Sequence, residues 1–250
     1  MSSTPPIPPL LLQTLQTQSF PLPSPSFLLP ILSPPTNRPP PPLPALIATT
    51  KHRLLHSNLL TPGLLHPSTR VLPPGAGDPG VREWKLEYDV PVQVVDIVDV
   101  GRSVGDVLLA VEGERLGERR RGRKVIRVVP GEDGENGDGG GGRGGERGGG
   151  GGKGGPYKLL LQDIKGTTIW GLEIERMEAK IGFPPVLGVG GKIMLRKGCG
   201  VWRGVVGLSE RGGSCVILGG KVEALDKAWR EGWEERLRKE IEKVKAGEGE

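Results

Sequence analysis

Few residues in this 250-residue chain could do covalent or metal chemistry. Cys199 and Cys215 are the two cysteines; they form no CxxC spacing and cannot make a disulfide framework. Such sparse thiols fit a reducing compartment. His52 and His56 are spaced i, i+4, which would seat a metal on one helix face. No Glu stands between them and no third ligand is evident, so no metal is expected. The segment GVGGK, residues 188–192, is similar to a phosphate loop. Ile193 follows the lysine where Ser or Thr is needed, and no helix opens there. There is no GxSxG elbow, and no histidine follows His66, so a histidine-based triad is excluded from the C-terminal part. Asp89, Asp96, Asp99 and Asp106 are acidic, but the polar face of a strand accounts for the first three. The expectation is a protein that is not an enzyme and holds no cofactor.

The remaining functional chemistry is charge and aromatic surface. The net charge is +5 and the pI about 9.3, a balance that suits either a polyanionic partner or simple solubility. Position is more telling than the total. Arg115, Arg119, Arg120, Arg121, Arg123, Lys124 and Arg127 crowd one short stretch, the candidate partner-binding arm. Directly after it comes GEDGENGDGGGGRGGERGGGGGKGG, residues 131–155. Arg143 and Arg147 lie there in an RGG-like context that can hold single strands. A flexible low-complexity spacer explains the tract better. Further on, Trp170, Lys192, Arg196, Lys197, Trp202 and Arg203 are candidate contacts to DNA or a partner.

The elements that would position these groups follow from periodicity. With 42 glycines and 25 prolines, the chain cannot bury a core along its whole length. A proline-rich region, residues 1–80, carries three possible helices at 8–18, 24–33 and 44–60, each with proline near its start. A disordered leader is the competing reading. No basic start precedes Asn37 and no apolar run reaches the ~20 residues of a membrane span. Residues 90–100, VPVQVVDIVDV, read as a largely buried strand, followed by a possible short helix at 103–112. Residues 123–130 are a weak strand or an extended arm. After the glycine tract, YKLLLQD and TTIWGLEIER form a hairpin. Trp170, Leu172 and Ile174 make its apolar face and Gly171, Glu173 and Glu175 its polar one. A second hairpin joins GKIMLRKG to VWRGVVGLSE around Gly198–Gly200, and SCVILGG is a last strand. A terminal helix over 221–246 follows, with an apolar stripe through Val222, Leu225, Trp229, Trp233, Leu237, Ile241 and Val244. Of Tyr157, Trp170 and Trp202, at least one tryptophan is expected in the core.

A lone strand at 90–100 is marginal without partners, so it must pair beyond the glycines. The expected architecture is mainly β. It is a small OB-like barrel over 88–225 of five to six antiparallel strands, with a long insertion at 101–156, largely disordered, and a C-terminal helix.

The segments YKLLLQDIKGTTIWGLEIE, GGKIMLRKGCGVWRGVVGLSE and VILGGKVEALDKAW resemble, in order and spacing, the OB domain of the RecQ-mediated genome instability protein 1 family. The matching positions are Gln162 and Gly166, Gly171 and Glu173, Gly191 and Lys192, and Arg203 and Gly204. The most specific part is the L-G-G-x-V-E-x-L junction: Leu218, Gly219, Gly220, Val222, Glu223 and Leu225. The resemblance implies a non-catalytic nuclear scaffold. It would join topoisomerase III and a RecQ helicase for double Holliday junction dissolution, DNA repair, recombination and replication. The insertion between the first two barrel strands would reach the topoisomerase, and DNA would be held weakly, as single strands or junctions. The alternative is a stand-alone OB-fold module for single-stranded nucleic acid. No membrane partner is implied. This chain departs from the family in its proline-rich start and in the absence of a second OB domain.

Overall fold

A computed structural model describes residues 7–32, 41–115, 156–175 and 187–247. The N-terminal region is helical: α1 (Pro9–Thr17), α2 (Pro25–Leu32) and α3 (Leu43–His56). Proline occupies the first turn of α1 and α3, where its missing N–H leaves no helical bond unmade. Ser24 caps α2 by accepting from the Phe27 N–H at 3.1 Å. Leu11, Leu15, Leu28, Ile31 and Leu46 form one buried cluster among the three helices. Each such side chain contributes about 1.5–3 kcal/mol by leaving water. Enough aliphatic surface is thus gathered to order a segment in which proline and leucine compete.

The rest is a curled sheet. Its strands are β1 (Glu83–Lys85), β2 (Val90–Asp99), β3 (Tyr157–Gln162), β4 (Thr168–Glu173), β5 (Lys192–Leu195), β6 (Gly200–Trp202), β7 (Val205–Leu208) and β8 (Cys215–Gly219). Their order in the sheet is β1-β6-β7-β4-β3-β2-β5-β8. The long β2 pairs with β5 through its first half and with β3 through its second. A register shift between Val94 and Asp96 marks the bend that lets one strand serve both sides. Beyond Leu208 the chain pinches shut: the N–H groups of Ser214 and Cys215 both reach the Ser209 carbonyl, at 2.9 and 3.3 Å. Strands β7 and β8 therefore run on from one another. With β7 beside β4 and β8 beside β5, the sheet curls into a half-barrel around Val92, Val94, Leu159, Leu161, Ile193 and Val206, all fully buried.

Three details correct the sequence reading. The sheet has eight strands rather than five or six, and β4 pairs with β7 in parallel. The hairpin expected around Gly198–Gly200 does not form; β5 pairs with β2 and β8. The true hairpin joins β6 to β7 across Arg203 and Gly204, with φ +47° and +75°, the two positive φ values a two-residue hairpin turn requires. Finally, the apolar set of β4 faces outward. Gly171 and Glu173 take the inner positions, since a Cβ on Gly171 would stand 2.8 Å from Leu208. The Glu173 carboxylate is buried and accepts the Tyr157 N–H at 3.0 Å. The weak strand at 123–130 lies outside the described residues.

Two helices flank the end of β2. Ser103 caps α4 (Val104–Arg115), its hydroxyl accepting from the Asp106 N–H at 3.1 Å. The terminal helix α5 (Glu223–Gly247) buries Trp229 and Leu237, and its stripe runs out to an exposed Val244. The Trp229 indole donates to Asp96 at 2.6 Å, tying α5 to the bend of β2.

Candidate docking face

The outward phase of β4, β7 and β6 builds an apolar surface. Trp170 stands opposite Val205, and Val205 opposite Trp202. Leu172, Ile174 and Trp202 are 37%, 60% and 45% exposed, high for side chains of that size. Trp202 is seated by glycine. A Cβ on Gly200 would lie 2.5 Å from its ring, and one on Gly207 would meet both the indole and Ile174. Two glycines thus make the floor on which an exposed indole lies against the sheet. At the side of this face Lys158 sits over the Trp170 ring, 4.4 Å from its centroid, a cation–π contact. Arg203, exposed at the hairpin tip, adjoins Trp202. Neither Trp170 nor Trp202 is a core residue; among the described residues the buried aromatics of the main core are Tyr157 of β3 and Trp229 of α5.

The other candidate contacts lie elsewhere. Lys192 is only 4% exposed. Its ammonium meets the carbonyl of Gly190 and, at 3.5 Å, that of Leu55 near the C-terminus of α3. Burial pulls its pKa down to about 7. A nucleic acid does not reach it: β5 is covered by the N-terminal helices, and sequence alone does not reveal that cover. Arg196 is bound to Asp89 at 2.7 Å and to Ser19 at 2.5 Å. Lys197 is exposed, with its N–H on Asp89. Arg115 ends α4; Arg119, Arg120, Arg121, Arg123, Lys124 and Arg127 lie outside the described residues.

The L-G-G-x-V-E-x-L junction holds parts of the molecule together. Gly219 and Gly220 both have positive φ, and a Cβ on Gly220 would strike Leu55 at 2.6 Å. The chain then turns into α5. The Val222 N–H bonds the Val189 carbonyl at 3.0 Å, and Asp226 returns a bond from the Val189 N–H. Leu225 is half-buried against the core and Glu223 opens the helix, where a carboxylate suits the helix dipole. Leu218 borders the small cleft under α3.

Sequence reasoning missed the polar staples between the linker and the barrel. Gln93 is fully buried in β2. It accepts from the Leu59 N–H at 2.9 Å and donates to Asn58 and Gln162. Asp163, also fully buried, accepts from the N–H groups of Leu72, Lys165 and Thr167, each at 2.9 Å. Asp at a hairpin turn is a visible signal; its long-range partner Leu72 is not. His56 Nδ1 is turned onto the His52 carbonyl at 2.7 Å, and among the described residues no group of three or more metal ligands occurs.

A curled, bulged eight-stranded sheet capped by a C-terminal helix is an OB-type fold, here with an aromatic face turned outward. Residues 71–233, more than half of the chain, match the family model described as RMI1, N-terminal OB-fold domain. The chain belongs to that family, whose theme is genome stability. No curated protein matches the chain. Among the described residues no helix is long and apolar enough to cross a membrane.

Proposed function

We propose that this protein is a non-catalytic nuclear scaffold of a RecQ helicase–topoisomerase III complex, and that it supports double Holliday junction dissolution and DNA repair. Family membership gives the setting. The observation that carries the reading is the outward apolar face: Trp202, Ile174 and Leu172 lie exposed on strands whose inner phase is already filled. Contiguous exposed apolar surface on a stable sheet marks a protein contact. Topoisomerase III is the partner assigned to this face. The basic arm, Arg115 to Arg127, is assigned the second contact, which tunes strand passage.

Co-purification with topoisomerase III tests the reading. Trp202→Ala and Ile174→Asp are expected to reduce capture at least tenfold while the barrel stays folded. Full capture by both variants would reject the face. Deletion of residues 116–155 is expected to retain capture and lose stimulation of strand passage.

The second reading, a module for single-stranded nucleic acid, draws on Lys158 over Trp170 and on Arg203 beside Trp202. Base stacking plus phosphate contacts would make affinity steeply salt-dependent. Salt-insensitive or undetectable binding to single strands and junctions would reject it.

A further inference from the structure

A concave site lies on a different part of the molecule, where β2 ends and α4 and α5 meet. It is a cavity of about 120 Å³. Its walls are apolar and buried: Ile97, Val107, Tyr157, Trp229 and Leu237. The Trp233 ring stacks on Trp229 at 4.7 Å and completes the wall. A cavity of ~150 Å³ lined by such groups takes a benzene-sized ring, so this one matches a single aliphatic or aromatic side chain. Exposed apolar residues continue out of it: Val98 at its edge is 40% exposed and Val100, just beyond, 47%.

The charges at the mouth are unequal in what they already hold. Arg102 is paired with Asp99 at 3.4 Å, and Asp96 takes the Trp229 indole. Arg236 is different. Its guanidinium donates to the Trp229 carbonyl at 3.0 Å and lies 5.5 Å from that indole ring, but no carboxylate among the described residues pairs with it. Glu240, one turn further along α5, also borders the mouth and does not pair with it. A guanidinium has five donors in a planar fork suited to a carboxylate. An apolar socket with such a fork at its rim is complementary to an apolar side chain beside an acid.

We infer that the α4–α5 cavity is a docking socket for an acidic–hydrophobic peptide segment of a partner protein. The segment inserts one leucine- or phenylalanine-sized side chain between Trp229, Val107 and Leu237, and a neighbouring carboxylate meets Arg236. The apolar anchor is desolvated against the buried walls of the cleft, which is where binding energy concentrates. The carboxylate sets the orientation of the segment.

The test uses the full chain and a labelled hexapeptide, EDLFDE, with EDAADE as a control of equal charge. Expected are saturable binding of EDLFDE and NMR shifts at the indole N–H groups of Trp229 and Trp233, with Trp170 and Trp202 unmoved. Arg236→Glu, at an exposed position, should weaken binding at least tenfold. Val104→Phe, which narrows the mouth from the first turn of α4, should do the same. Several results would overturn the inference. One is equal binding of EDAADE, which would place the contact on the basic arm. Another is a shift at Trp170 or Trp202, or no shift at millimolar peptide. Binding that appears only after residues 116–155 are deleted would make the chain itself the occupant. A dimer abolished by Arg236→Glu would make it a second copy.

Discussion

At the scale of single residues, Lys192 has the clearest consequence. Its ammonium is buried with only carbonyl partners, and its pKa falls to about 7 from an ordinary 10.5. Between those values the unfolded chain binds more protons than the folded one, so stability rises with pH. The penalty is full below about 7 and gone above 10.5. Cys215 acts in the opposite direction. Burial holds its thiol up at about 11 against 9.0, so its contribution is present below pH 9 and lost toward 11. Urea denaturation is expected to show stability climbing from neutral pH and levelling near pH 9. Lys192→Met should flatten the lower limb; an unchanged slope would remove Lys192 as its cause. Asp163 offers a test without titration. Asp163→Ala strips the buried Leu72 N–H and the two part-buried turn N–H groups of Lys165 and Thr167 of their acceptor and should cost about 1–3 kcal/mol, read as a lower denaturation midpoint.

Elements were legible to the extent that their signals are local. The proline starts of α1 and α3 and the apolar stripe of α5 stand in the chain itself, because a helix makes its own hydrogen bonds. The strand β2 and the hairpin of β3 and β4 were equally readable from β-branched runs around a turn. Pairing was not. The stretch from Lys192 to Leu208 contains turn glycines at two places, 198–200 and 204, and only the sheet decides which makes the hairpin. Arg203 carried no positive-φ signal of the Asn-Gly kind. The three-residue β1 is too short to have a period. At the L-G-G junction, Gly220→Ala combines a disfavoured φ with a backbone collision at Leu55. It is expected to cost about 2 kcal/mol or more and to expose α3 to limited proteolysis before the barrel unfolds. Proteolysis of α3 and barrel in step would argue against a separate docking role for Gly220.

At the scale of the whole molecule, the two candidate surfaces differ in kind. The β4–β7–β6 face is broad, apolar and set on rigid strands, as a large partner requires. The α4–α5 socket is small and fits one side chain. Their independence is itself testable, since side chains on separate elements that share no partner should act additively. Trp202→Ala should leave the EDLFDE affinity within about twofold, and Arg236→Glu should leave topoisomerase III capture unchanged. Cross-effects in both directions would merge the two surfaces into one site. Trp202→Ala is also expected to shift stability by less than about 1 kcal/mol, because its ring lies outside the core. A larger loss in thermal denaturation would make it a structural residue.

The amino-acid order alone determined that the chain is a mainly β module with a helical end and an apolar stripe along its last helix. These are properties of composition, period and spacing, which need no neighbour from another part of the chain. The tertiary structure alone decided which phase of β4 faces inward, and so turned Trp170, Leu172 and Ile174 to the surface. It alone placed Lys192 beneath α3 and opened a socket between α4 and α5. Alternation says only that two faces differ. Which face is buried depends on what packs there, and in this barrel the room beside Leu161 and Leu208 admits only a glycine.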